Sequence, residues 1–171
     1  MSNSKWDREA GSVKFCGYAS KASYDVLEKI EKLKKFDVLS TYIIQEDPRK
    51  SQEYQDVKNA IIQYIKEKKG IWEESVCKST VCRVDEIKEE LGGLPSTFKA
   101  KVVREDKGSF PVCNFIIFKY PPDQAEMFFG WGYFKRGDNE KVFWSDDRNI
   151  ISFFEGYHKA LRDEEISESY S

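Results

Sequence analysis

Apolar and polar positions recur along this chain with two different periods, and the changes of period mark its elements. Residues 13–18, VKFCGY, are β-formers closed by Gly17 and a Ser/Lys cluster, which predicts a first strand. From Ser20 the period lengthens. Ala22, Val26, Leu27, Ile30 and Leu33 share one helical face with Lys and Glu between them, predicting a helix to about Lys35. FDVLSTYII (36–44) is apolar almost without interruption, the pattern of a strand buried on both faces. After the loop QEDPRKS, Ser51 is placed to cap a helix and Glu53 to complement its dipole. Tyr54, Val57, Ile61, Tyr64 and Ile65 make the apolar stripe of that helix, and Gly70 stands where a C′ residue belongs. The opening therefore reads β-α-β-α, the start of an α/β domain.

IWEESVC (71–77) predicts a third strand. Val84, Ile87 and Leu91 predict a short helix that Gly92 ends. STFKAKVV alternates like a half-exposed strand, and VCNFIIFKY (112–120) is apolar enough for a central one. PPDQ (121–124) is a turn, and residues 126–134 and 141–144 predict two more strands joined by the polar loop KRGDNEK. A helix from about Asp146 to Arg162 closes the chain, followed by an acidic, serine-rich tail. The expected architecture is one α/β domain over residues 13–163, with a mixed sheet of about six to seven strands. A β-meander follows the opening, and helices flank the sheet. Residues 1–12 and 164–171 are expected to be a flexible N-terminus and a flexible acidic tail.

Composition narrows the function classes. The 171 residues are 40% hydrophobic and 34% charged, which fits one globular core, and aromatics at 15% suggest large side chains within it. A formal charge of −2 provides no global attraction for nucleic acid or an anionic membrane. No segment approaches the roughly 18 apolar residues of a membrane span, and MSNSKWDREAG has no apolar run behind its charges. A cytoplasmic protein is expected, with Cys16, Cys77, Cys82 and Cys113 as reduced thiols.

The most unusual stretch is EMFFGWGYFKRGDNEKVFWSDDRN (126–149). Strand alternation puts Met127, Phe129, Trp131 and Tyr133 on one side and Glu126, Phe128, Gly130 and Gly132 on the other. Aromatics so placed either feed the core beneath the last helix or line a ligand pocket, as Phe128, Trp131 and Phe134 could. In SDD (145–147), Ser145 is placed to accept a backbone N–H at the helix start, while Asp146 and Asp147 suit its positive end.

Little else points to catalysis. The one histidine, His158, falls near the apolar stripe of the last helix, and there is neither a GxSxG elbow nor a Gly-rich phosphate loop. Cys77 and Cys82 lack the second close pair that structural zinc requires, so no metal or cofactor is expected. Lys66, Lys68 and Lys69 read as a solvated helix end.

The order of elements resembles one half of the phospholipase D superfamily fold. Two stretches carry the resemblance: VKFCGYASKASYDVLEKIEKLKKFDVLSTYI, and the meander NFIIFKY, FFGWGY and VFWS with its closing helix IISFFEGYHKAL. The pattern looks like the non-catalytic modules of this kind found in bacteria, alone or attached to regulatory domains. The catalytic mark of that family is a histidine, a lysine two positions on and an aspartate five beyond that. Here His158 is followed at those places by Ala160 and Glu165, so the resemblance implies the fold without the phosphodiesterase chemistry. The active form of the family juxtaposes two halves, which implies a homodimer.

The expectation is thus a non-catalytic α/β binding or regulatory module for a small ligand or protein partner. Its candidate surface is Trp131, Tyr133, Lys135, Arg136, Trp144 and Arg148. The alternative is a hydrolase that gathers loop carboxylates such as Asp47, Asp106, Asp146 and Asp147, with or without a metal. Nucleic-acid binding is the third and least favoured class.

Overall fold

The computed structural model describes residues 12–32, 36–43, 49, 51–67, 70–104, 113–130, 140–163 and 167–170. The β-α-β-α opening is present as β1 (Val13–Tyr18), α1 (Ala19–Lys32), β2 (Asp37–Tyr42) and α2 (Gln52–Lys66). Then come β3 (Trp72–Val76), α3 (Cys82–Leu91), β4 (Phe98–Val103) and the meander β5 (Asn114–Tyr120), β6 (Gln124–Gly130) and β7 (Lys141–Ser145). Helix α4 (Arg148–Leu161) and a short β8 (Ser167–Ser169) end the described chain.

All eight strands form one sheet in the order β1-β7-β6-β5-β2-β3-β4-β8. β2, β3 and β4 are parallel, as helical crossovers demand, and the remaining pairings are antiparallel. Helices cover both faces. On one, Ile30 of α1, Ile61, Tyr64 and Ile65 of α2 and Ile87 of α3 pack on Val38, Trp72, Val76, Phe118 and Phe128. On the other, Ile151 of α4 packs on Phe115, Ile117 and Met127. Met127 and Phe129 thus lie under α4, with the Phe129 ring 5.3 Å from that of Phe154, while Phe128 joins the opposite core.

Two local expectations, Gly70 and the start of the last helix, differ from the structure. Gly70 is not the C′ residue of α2, whose C-cap is Glu67 in a right-handed conformation. It marks a close approach instead: a Cβ there would lie 1.9 Å from the carbonyl oxygen of Phe36. The N-cap of α4 is Asp147, accepting from Asn149 and Ile150, while Ser145 accepts one residue earlier from the Asp147 N–H. Asp146 does not serve the helix; it accepts from the backbone and hydroxyl of Ser12, tying the entry of β1 to the end of β7. Beyond α4, Ser167–Ser169 form β8, which pairs with β4 along an edge that would otherwise expose its ladder. Ser51 caps α2 and Gly92 ends α3 in a left-handed conformation, as expected.

Gly70→Ala is expected to destabilise the fold by about 3 kcal/mol through overpacking against the β2 backbone. Equilibrium urea unfolding measures it; a change within experimental error would contradict the close approach.

Candidate ligand-binding cleft

The turn between β5 and β6 is made by Pro121, Pro122 and Asp123, whose fixed φ and short side chain suit a reversal. Beside it opens a cleft of about 930 Å³, bounded by this hairpin, the end of β7 and the first turns of α4. Of the sequence-derived candidates, Trp144 and Arg148 both line it. Trp131, Tyr133, Lys135, Arg136 and Phe134 lie outside the described residues, as do Asp47 and Asp106.

The organising group of the cleft is a residue that sequence reading passed over. Glu126 sits beside the apolar run Met127–Phe129 of β6, 8% exposed. Lys29 of α1 donates to both of its oxygens, at 2.7 and 2.9 Å. The Trp144 indole donates at 2.7 Å, and the Tyr120 hydroxyl donates as well. One carboxylate therefore joins α1, β5, β6 and β7. Burial works to raise its pKa, but the Lys29 ammonium and the two neutral donors outweigh burial and leave it lowered. The Tyr120 hydroxyl is held well above its ordinary pKa by burial and by the carboxylate it serves. The signal was available: an acid amid MFF, on the face that alternation assigns to the core, needs a partner.

Trp144 is consequently fixed from two sides, since Lys14 lies 4.9 Å from its ring centroid. Arg148 is exposed and bonds Asp123 through Nη1 at 2.9 Å and also through the Asp123 carbonyl. Lys119 pairs with Glu155 at 2.7 Å. Five carboxylates (Asp37, Asp123, Glu126, Asp146 and Glu155) line the cleft; Lys29 balances Glu126, Lys119 pairs with Glu155 and Arg148 with Asp123, leaving Asp37 and Asp146 as its surplus. That small surplus disfavours a phosphate backbone.

His158 lies away from the cleft, on the face of α4 that meets the sheet. It is 3% exposed, its ring is 6.0 Å from that of Phe115, and Nε2 has no hydrogen-bond partner among the described residues. Burial, helped by the charge of Arg162, pushes its pKa down to about 4, so the imidazole is neutral at pH 7. Asp146 and Asp147 are both engaged by backbone N–H groups. Among the described residues no group of three or more His, Cys, Asp or Glu side chains could hold a metal ion, and none of the four cysteines is in a disulfide. No helix of the described residues is long and apolar enough to cross a membrane.

No family model matches the sequence, and no curated protein matches it. Solved structures do. TrmBL2, an archaeal chromatin protein with a novel mode of DNA binding, superposes with a TM-score of 0.60 at 12% identity. The match covers 96% of this chain, which spans only 56% of that one. Nuc from Salmonella typhimurium, a phospholipase D family member, matches with a TM-score of 0.59 at 14% identity over 94% of this chain and 99% of its own. NucT from Helicobacter pylori has a TM-score of 0.56, again at 14% identity, with the same coverage. The likeness shows the fold: this chain folds like Nuc, a phospholipase D family member.

Two outcomes are expected. Glu126→Ala leaves three donors, two of them half-buried, without an acceptor and should cost about 2 kcal/mol in denaturant unfolding; Glu126→Gln, which keeps one acceptor oxygen, should cost about half as much. Stability should also fall by about 1 kcal/mol between about pH 7 and 5.5. In that window the unfolded imidazole takes up a proton below its ordinary 6.5, which the folded one refuses down to about 4. The loss should be absent in His158→Gln, and a flat wild-type profile would contradict a sealed, neutral imidazole.

Proposed function

We propose that this chain is a non-catalytic phospholipase-D-like binding or regulatory module that recognises a small ligand or a protein partner at the cleft carrying Trp144 and Arg148. The burial of its one imidazole carries this reading. A histidine of α4 packed against the sheet, with Ala160 two positions on where the family motif has lysine, has neither the exposure nor the neighbours for phosphodiester attack. What remains is a cleft with a rigidly held indole and an arginine at its rim, features suited to recognition. Trp131, Tyr133, Lys135 and Arg136 fall between Gly130 and Lys141, the end of β6 and β7 away from this cleft, and are proposed as a separate contact surface. A homodimer is part of the proposal, since the resemblance implies paired halves. So is a cytoplasmic location, which suits four cysteines outside any disulfide.

The likeness to an archaeal chromatin protein favours a second reading, DNA binding. The acid surplus of the cleft weighs against it.

The chain should hydrolyse bis(p-nitrophenyl) phosphate no faster than a heat-inactivated control; turnover abolished by His158→Ala would overturn the non-catalytic reading. Titration with small acids, amines and amides, followed through the Trp144 indole resonance, should give saturable shifts that Arg148→Ala removes. Shifts that never involve Trp144 would move recognition off the cleft. A DNA duplex should bind no tighter than the non-specific range of about 10⁻⁴ to 10⁻⁶ M at physiological salt. Tighter binding with a steep salt dependence would replace this reading with the DNA one.

A further inference from the structure

Phenylalanines stand in register across four neighbouring strands. Phe15 of β1 pairs with Phe143 of β7, Phe143 with Phe129 of β6, and Phe129 with Phe115 of β5. Side chains in register share one face of the sheet, here the face that carries α4. The helix packs on Phe115, Ile117 and Met127 and stops short of the β1 margin. Burial falls away along the row accordingly: Phe115 is sealed, Phe129 and Phe143 are half-buried, and Phe15 is 55% exposed. Among the described residues no helix packs on this face of β7 and β1.

The two flanks of α4 differ in kind. Arg148, Glu155 and Arg162 lie on one, paired with Asp123, Lys119 and Glu73. Ile150, Phe153, Phe154 and Tyr157, spaced i, i+3, i+4 and i+7, make the other, which carries no charge. This second flank rises beside the phenylalanine row. The Phe154 ring is 5.3 Å from that of Phe129, and Phe153, 68% exposed, is 5.4 Å from Phe154. Gly156 and Ala160 stand exposed on the back of the helix. A Cβ on Gly156 would meet nothing, so the packing of a single chain gives no reason for a residue that weakens helix interiors. One face thus offers bulky rings without cover and a helix back with a notch.

We propose that a second copy of this chain docks on this face about a two-fold axis parallel to α4, laying its own α4 beside the first. Packed helices run about 8–10 Å apart, which is two strand steps of about 4.8 Å, so a helix beside α4 lies over β7 and β1. There the notch at Gly156 and Ala160 takes the Phe143 and Phe15 rings, while the two uncharged flanks meet. A two-fold contact sets each residue near the axis against its own copy, where any charge would repel itself. The flank that meets its copy is the one without charge. Each copy contributes floor, flank and back, strips of about 20 by 10 Å that bury roughly 1,200 Å² in all, at the lower limit of a specific dimer. The inference rests on the homodimer of the functional reading and assigns its face; the cleft, on the charged flank, stays open.

Sedimentation equilibrium of the full chain tests it. The wild type should be a dimer. Phe153→Lys and Gly156→Lys place a cation in the contact at positions exposed in the single chain, and each should weaken dimerisation at least tenfold with an unchanged circular dichroism spectrum. Lys159→Ala, on the charged flank, should leave dimerisation as it was. If Phe153→Lys does not fold, Gly156→Lys still decides. An undiminished dimer in the folded variants would overturn the placement and leave the homodimer to another face. A monomeric wild type would overturn the placement and the homodimer together, leaving recognition at Trp144 to its own titration.

Discussion

Coverage of the sheet on both faces is the constraint from which the rest of this molecule follows. With α1, α2 and α3 on one side and α4 on the other, the middle strands have no wet surface. Any polar group carried there must meet a partner or give up its charge. Thr41 meets the Cys113 carbonyl at 3.0 Å, and Asn114 exchanges two bonds with the backbone of Ile43. His158 gives up its charge. The Glu74–Arg83 pair meets across 3.0 Å.

The same constraint explains why the cleft forms at the hairpin end. There the cover thins, and Glu126 is wet enough to remain ionised but dry enough to hold its donors firmly. Its bonds reach from a helix into three strands of the meander, so the cleft wall and the packing of α1 depend on one carboxylate. Trp144 is thereby more a structural post than a free aromatic, and what the cleft presents is a fixed shape with a charged rim.

The period changes from VKFCGY to the Ala22–Ile30 stripe and then to FDVLSTYII were enough to read the opening, because each element there buries a face that its own spacing reveals. The meander and α4 were equally legible. The lateral order was not: β1 lies beside β7, more than a hundred residues away, and no local pattern specifies that pairing. Gly70 read as a helix end because sequence shows a glycine but not the carbonyl it makes room for. β8 escaped notice because SES has no β-forming side chains and owes its place to the open edge of β4. Trp144 and Arg148 were picked out by residue type, and the fold brings both to the cleft. Glu126 was set on the correct face of its strand, yet its partners come from Lys29, Tyr120 and Trp144, which only tertiary structure assembles.

The strand order also governs how the module connects to anything else. β1 and β8 occupy opposite margins, separated by seven interstrand steps, or about 33 Å at roughly 4.8 Å each. Bodies attached before the first strand and after the last would be held apart by the full width of the sheet.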